Sequence, residues 1–354
     1  MKSEMAGDRG GVEVIVGEIL LRDAPTVPSG RGAGPAKVCV EPTTRCNLAC
    51  RFCARRAREE PLGDMTEETF SAVLSGVRAL SRRPTLFFGG LGEPLAHPRL
   101  PDMVAAGKAA GARIELVTNG TLLSRELGRE LAEAGLDLLW VSLDGVAPDR
   151  YGDPRPGHAL QDVVENVRRL QDLPCTRLPE IGVAFVAKRS NVRELPSVLR
   201  LSRDVGATRF HVSHLWVHTE EMLAEALYSQ TLVPEPPRRD ARCPFVAADA
   251  VAVAWDGSVA PCLPLLRSST SFLNGAERVA RRWSLGNVRE RSLADLWEDP
   301  EMRAFRERVK AFRFSPCASC GSCSIAYTNE DDCFGNPFPT CGGCLWAHGL
   351  IACP

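Results

Sequence analysis

The sequence predicts an α/β fold in which a parallel sheet of six strand–helix units is followed by a small cysteine-rich domain. Three observations predict it. Between residues 37 and 213, short apolar runs alternate with amphipathic stretches, the pattern of a parallel sheet with right-handed crossovers. The 14 cysteines are grouped: Cys39, Cys46, Cys50 and Cys53 lie near the start, Cys175 stands alone, and the other nine run from Cys243 to Cys353. Residues 315–354 are rich in cysteine, glycine and proline with little periodicity, so metal crosslinks are needed to fold them. Six units are fewer than the eight of a full barrel, leaving an incomplete barrel or an open doubly wound sheet. In both, functional groups sit on loops at the carboxyl ends of the strands.

The elements follow in order. Residues 37–41, 85–88, 113–118, 138–143, 181–187 and 209–213 read as strands. Thr66 caps a helix whose first turn carries Glu67 and Glu68 and whose apolar stripe includes Phe70, Val73, Leu74 and Val77. Ser124 caps another, with Leu127, Leu131 and Ala134 on one face, and residues 162–170 and 192–205 supply two more. Residues 231–242 are rich in proline and charge and read as a linker. Residues 251–254 and 258–260, joined through Trp255-Asp256-Gly257, read as a hairpin, and 292–312 as helical. The expected division is a partly ordered extension over 1–35, a barrel over 36–230, the linker, and a cysteine-rich domain over 243–354.

Composition narrows the function classes. Apolar residues make up 44% and charged residues 25%, as in globular proteins. A net charge of −1 gives no global field for nucleic acid. No apolar run spans a bilayer and residues 1–30 lack a signal-peptide core, so a cytoplasmic setting without a membrane partner is expected. There, cysteines serve as metal ligands or redox groups.

Cys46, Cys50 and Cys53 follow the first strand with C-x3-C-x2-C spacing. Three thiolates on one loop can hold three irons of a cubane and leave the fourth open, as an open position marks catalytic zinc. A three-cysteine zinc loop is the bland alternative. The spacing, with Phe52 before the last cysteine, resembles the cluster loop of radical S-adenosylmethionine (SAM) enzymes. The resemblance implies a [4Fe–4S] cluster on Cys46, Cys50 and Cys53. Its open iron chelates SAM, and its reduction cleaves SAM to a 5′-deoxyadenosyl radical. Further motifs end successive strands in the superfamily's order. Gly89-Gly90-Leu91-Gly92-Glu93 is similar to its Gly-Gly-Glu segment, which holds the SAM amino group. The extra Leu91-Gly92 leaves the contact open among Gly90, Gly92 and Glu93. Asn119 and the Ser142-Leu143-Asp144 segment are placed to hydrogen-bond a ribose or carboxylate, though each can equally cap a turn, and residues 183–187 can line adenine or simply fill a core.

Cys243, Gly257 and Cys262 fit C-x13-G-x4-C and precede Cys317, Cys320, Cys323, Cys333, Cys341, Cys344 and Cys353. This resembles the SPASM extension, which implies one or two auxiliary [4Fe–4S] clusters. The later spacings depart from the usual pattern, so ligands cannot be divided between clusters, and nine exceeds the eight that two clusters need. Cys317-x2-Cys320 and Cys341-x2-Cys344 also match a zinc ribbon, the basis of an alternative reading as a zinc-stabilised, non-catalytic binding module. Cys39 and Cys175 are expected bystanders.

The tail around Cys333 to Cys353, residues 88–98 and Ser284-Leu-Gly-Asn-Val-Arg-Glu-Arg are similar to the radical SAM maturases of tungsten-cofactor oxidoreductases. That likeness implies a tungsten-type oxidoreductase or its cofactor precursor as partner, and a ferredoxin or flavodoxin as electron donor. A SPASM enzyme that modifies a ribosomal peptide or a small molecule is the alternative. His211 and His214 near a strand end face the cavity or pack as core residues. The basic stretch from Arg267 to Arg313, which includes Arg278, reads as a solvated face or a docking surface.

Overall fold

The computed structural model describes residues 17–20, 34–57, 59–146, 160–228, 243–273, 275–320 and 323–353. The predicted linker and His158 lie outside them. Strands β1 (Gly17–Leu20), β2 (Lys37–Val40), β3 (Thr85–Phe88), β4 (Arg113–Thr118), β5 (Leu138–Ser142), β6 (Glu180–Ala187) and β7 (Arg209–His214) belong to one sheet. From β2 to β7 each strand lies beside its successor, in parallel. Helices α1 (Glu67–Ala79), α2 (Leu100–Ala109), α3 (Arg125–Glu133), α4 (Leu160–Gln171) and α5 (Leu195–Asp204) connect them.

All five helices pack on the same face. Phe70, Val73, Leu100, Leu131, Val163 and Val198 share one buried cluster with Val38, Val40, Leu86, Phe88, Ile114 and Val141. A doubly wound sheet carries helices on both faces and reverses its strand order. Neither is seen, so the incomplete barrel is the solution adopted. Local chemistry sets the helix starts: Thr66 Oγ1 accepts the Thr69 N–H, and Ser124 accepts the Leu127 N–H. Each large apolar side chain buried in this layer contributes roughly 1.5–3 kcal/mol.

The inner face is polar at one end and covered at the other. At the amino ends of the strands, Glu115 pairs with Lys37 and Arg113, and Glu180 with Arg113 and Arg209. Above this floor, Cys39, Phe87 and Trp140 pack against Phe305, Phe314, Cys341 and Ala347. The carboxyl-terminal third therefore lies over the barrel's inner face.

Four features differ from the sequence expectation. The hairpin of β8 (Ala250–Val253) and β9 (Ser258–Ala260) joins the barrel sheet, with β8 parallel to β2 and Val38 opposite Val251. It turns at Gly257, whose φ of +86° suits glycine. A separate hairpin, β10 (Ser269–Leu273) and β11 (Ala276–Ala280), was not anticipated, and neither was β1, which pairs antiparallel with β7; β12 (Gly286–Asn287) pairs with β9. After the short α6 (Pro244–Ala247), the helix expected over 292–312 is two, α7 (Leu293–Trp297) and α8 (Pro300–Ala311). Asp299 caps α8 and Pro300 occupies its first turn, where the absent N–H is not needed.

Candidate active site and auxiliary cysteine sets

Cys46, Cys50 and Cys53 lie on the loop after β2, at the carboxyl end of the barrel, each half-buried and free of disulfide. Arg55 ties the loop by donating to the carbonyls of Leu48 (2.7 Å) and Cys46 (3.5 Å). The Cys53 N–H donates to the Cys50 carbonyl at 3.2 Å. Cys46 Sγ accepts the Leu48 N–H at 3.4 Å and the Asn119 amide at 3.8 Å. Burial pushes the Cys46 thiol up; the Leu48 N–H and the Arg55 charge oppose this, while Glu93 and Cys53 add to it. The loop brings Cys53 within electrostatic reach of Cys46, and N–H···S bonds favour the thiolate needed for iron.

The glycine loop after β3 presses against this loop. A Cβ at Gly92 would lie 2.1 Å from the Thr43 carbonyl oxygen, and one at Gly90, whose φ is +143°, 2.5 Å from Glu41 Oε1. The Gly89 N–H donates to the Val40 carbonyl (3.0 Å). Glu93 is buried and accepts from the Leu95 N–H (3.0 Å), the Thr118 hydroxyl (2.7 Å) and the Asn119 N–H (2.7 Å). Its carboxylate thus straps the ends of β3 and β4 together and sets Asn119. The Asn119 amide also reaches Asn47 Oδ1 at 3.1 Å.

Ser142 ends β5 opposite Ala184. Asp144 accepts from Lys188 Nζ and the Val186 N–H, both at 3.1 Å, and its carbonyl accepts the Asn191 amide. Lys188 also lies 5.0 Å from the centre of the Phe52 ring, a cation–π contact joining Asp144 to the cysteine loop. His211 packs edge-on against Trp140 and His214 against Tyr228, and burial lowers both pKa values.

The later cysteines divide spatially. Cys243, Cys262, Cys341 and Cys344 line one cavity of about 60 Å³. Burial is the main cause of their raised pKa values: about 11 at Cys243, and well above the usual range at Cys262 and Cys341. Cys262 feels Cys243, Cys344 and Cys341, in that order. Cys317, raised to about 11 chiefly by burial, instead has Cys320 and Cys333 as its cysteine neighbours. Cys323 precedes the 3-10 turn Ser324–Tyr327. The ribbon grouping of Cys317 and Cys320 with Cys341 and Cys344 is therefore not the one the fold makes. Among the described residues, no set of three or more His, Cys, Asp or Glu is placed to hold a single metal ion. A cavity lined by four free thiols suits a multi-iron cluster. Cys353 lies elsewhere: the Ala352 N–H donates to Ser213 Oγ on β7 at 3.2 Å, and Cys353 contributes to the charge environment of Cys39 on β2.

A second cavity, about 190 Å³, separates the two regions. Ala54, Gly90 and Leu91 line it from the barrel side, and Leu263, Arg267 and Cys353 from the other. Trp216 and Trp346, in edge contact at 5.2 Å, line both cavities. Beneath it Arg267 pairs with Glu41, which is fully buried and also accepts the Leu91 N–H. The sequence reading gave no role to Glu41 or the two tryptophans, and it took Arg267 and Arg278 into a solvated face or docking surface, whereas both are buried. Glu41 carried a signal, since Lys37, Cys39 and Glu41 alternate on the inward side of β2.

Thiols arranged in this way define an iron–sulfur enzyme built on a partial barrel. The profile of the radical SAM superfamily matches residues 40–213, and that of the SPASM iron–sulfur cluster-binding domain matches residues 243–324. A tungsten-containing aldehyde ferredoxin oxidoreductase cofactor-modifying protein from Pyrococcus furiosus is 32% identical over 89% of this chain and 96% of its own length. The chain belongs to the radical SAM superfamily, and it is an enzyme that uses SAM, a [4Fe–4S] cluster and auxiliary iron–sulfur clusters. A PqqA peptide cyclase from Bradyrhizobium diazoefficiens is 32% identical over 51% of this chain and 47% of its own. The structure of SuiB from Streptococcus suis bound to its precursor peptide SuiA shares the fold, with a TM-score of 0.59 at 15% identity, covering 82% of this chain and 70% of SuiB. No helix among the described residues is long and apolar enough to cross a membrane.

Proposed function

We propose that this enzyme modifies the cofactor of a tungsten-containing oxidoreductase, or a precursor of it, in the cytoplasm, with a ferredoxin or flavodoxin as electron donor. Cys46, Cys50 and Cys53 hold the SAM-cleaving cluster. When bound, cluster and SAM supply a 5′-deoxyadenosyl radical that abstracts hydrogen from an unactivated carbon. The chain supplies the rest. Gly89, Gly90 and Gly92 let their loop pack closely on Val117, Glu41 and Thr43, which sets it beside the cluster loop to receive the SAM amino group, and Glu93 holds Asn119 at that loop. Ser142 and Asp144 border the ribose side, with Asp144 fixed by Lys188 and Phe52 packed against the same lysine. The substrate occupies the cavity of about 190 Å³, where tryptophan, leucine and proline side chains exclude water.

Cys243, Cys262, Cys341 and Cys344 hold one auxiliary cluster, and Cys317, Cys320, Cys323 and Cys333 a second, which leaves Cys353 as the surplus thiol. The division into a barrel unit over 36–230 and an auxiliary-cluster unit over 243–354 is kept for the chemistry, although β1 and the strands β8, β9 and β12 of the second unit extend the barrel sheet. The observation that carries the reading is the contrast between three half-buried thiols on one loop and four lining one cavity. An open iron belongs to the first.

The test is anaerobic turnover of the reconstituted, reduced protein, following 5′-deoxyadenosine. Release should occur and should rise when the tungsten oxidoreductase or its cofactor is added. No release sinks the enzyme chemistry. Indifference to that partner, with stimulation by a short precursor peptide, moves the substrate to peptides, the reading favoured by the likeness to the peptide cyclase.

A further inference from the structure

We infer that Arg278 is the shared counter-charge of the two auxiliary cysteine sets and holds the reduction potentials of their clusters at less negative values. The inference rests on the ligand assignment proposed above. Arg278 stands on β11 and is buried. Its guanidinium donates to the carbonyls of Ala326 (3.2 Å) and Thr328 (3.0 Å), in and just after the turn that follows Cys323. Those carbonyls fix its plane but carry no charge. Arg281 and Arg282 nearby pair with Glu330 and Asp256, whereas among the described residues no carboxylate lies within ion-pair distance of Arg278.

What Arg278 faces instead is sulfur. It lines the cavity walled by Cys243, Cys262, Cys341 and Cys344. On the other side it is the foremost charge opposing burial at Cys317. Burial lowers its own pKa, and Cys344, Cys341 and Cys317 raise it back. A lone buried cation costs several kcal/mol unless an anion compensates. Two thiolate-ligated clusters supply that anion from both sides. Reduction of either adds negative charge beside the guanidinium, which favours the reduced form and raises the potential. Arginine suits the position because its planar fork satisfies two carbonyls at once and keeps further N–H groups for sulfur.

The experiment is a potentiometric titration read by EPR, on the full chain with Cys46, Cys50 and Cys53 replaced by Ala so that the auxiliary clusters alone report. That protein should hold about eight irons; about four or none sinks the ligand assignment, whatever Arg278 does. Given about eight, Arg278→Gln should shift both transitions to more negative potential. Arg278→Lys should return them toward the parent, and Arg303→Gln, on the exposed face of α8, should leave them in place. Unshifted transitions in Arg278→Gln overturn the inference, as does a shift that Arg303→Gln reproduces. If Arg278→Gln fails to load iron, Arg278→Lys decides. Full iron at near-parental potentials supports a role for the charge. Failure to load, or a shift despite the retained charge, overturns it.

Discussion

Cys46, Cys50 and Cys53 come from one short loop and remain half-buried; Arg55 ties that loop, and the Asn119 amide reaches Cys46 from the turn after β4. Cys243, Cys262, Cys341 and Cys344 come from three stretches of chain and line one cavity, where burial raises their thiol pKa values. The first arrangement keeps a face open, so a ligand can reach the metal without unfolding the chain. On the ligand assignment proposed above, the second would fold the chain around its metal, with binding and folding one process. The two regions thus divide reactivity from stability.

The sharpest way to break this comparison is to delete the loop's ligands. Cys46→Ala, Cys50→Ala and Cys53→Ala together should abolish reductive SAM cleavage while about two thirds of the iron and the cooperative unfolding transition remain. Loss of all iron would mean that the regions are not independent, and persistent cleavage would move the active cluster elsewhere. Next in size is thiol reactivity. Burial pushes the Cys39 thiol up to about 12, which lowers its thiolate fraction about a thousandfold at neutral pH. In iron-free protein, mass-spectrometric alkylation should label the half-buried loop cysteines before the buried Cys39. Early labelling of Cys39 would contradict its placement inside the barrel. The same shift has a sign for stability: the folded chain keeps a proton that the unfolded chain releases. Stability from Cys39 is therefore full below about pH 8.5 and is lost as pH rises toward 12.

The barrel was legible because each of its parts is local. Thr66 and Ser124 announce their helices, the alternating apolar runs announce strands, and the loop ligands are contiguous. The auxiliary half was not legible because its contacts are distant. The grouping of Cys243 and Cys262 with Cys341 and Cys344 depends on tertiary folding, and spacing alone pointed equally to a ribbon. The β10–β11 hairpin has too many polar residues to read as buried, yet Ser269, Ser271 and Arg278 are all buried beneath the tail. The hairpin of β8 and β9 was recognised as a hairpin, but nothing local says that β8 will extend the barrel beside β2.

The link between the regions gives the next prediction. Glu41, at the end of the first strand of the barrel core, is fully buried and pairs with Arg267 from the auxiliary half. Removing one partner leaves an uncompensated buried charge, at about 3–5 kcal/mol. Arg267→Met should show this in denaturant unfolding, and Glu41→Leu added to Arg267→Met should recover much of it. A single variant within 1 kcal/mol of the parent, by the same measurement, would show that the two halves are not joined through this pair.

The smallest expected effect sharpens the reactive side. Glu93 accepts three donors on one buried carboxylate. In Glu93→Gln, one oxygen becomes an NH2 group that can only donate, so it must confront either the Asn119 N–H or the Thr118 and Leu95 donors. The mismatch should cost about 1–3 kcal/mol of stability, and because Asn119 is set by that bond, SAM affinity should fall with it. Asn119→Ala should lose SAM affinity with a smaller loss of stability, about 1 kcal/mol, since its side chain bonds Cys46, Asn47 and Thr121 on loops at the barrel mouth and no strand. Equilibrium dialysis with SAM and denaturant unfolding of both variants separate the roles. If Glu93→Gln weakened SAM binding at unchanged stability, Glu93 would touch the ligand itself and the strap between β3 and β4 would be carried by backbone alone. Parallel losses make Glu93 the residue through which the rigid sheet positions an otherwise open loop.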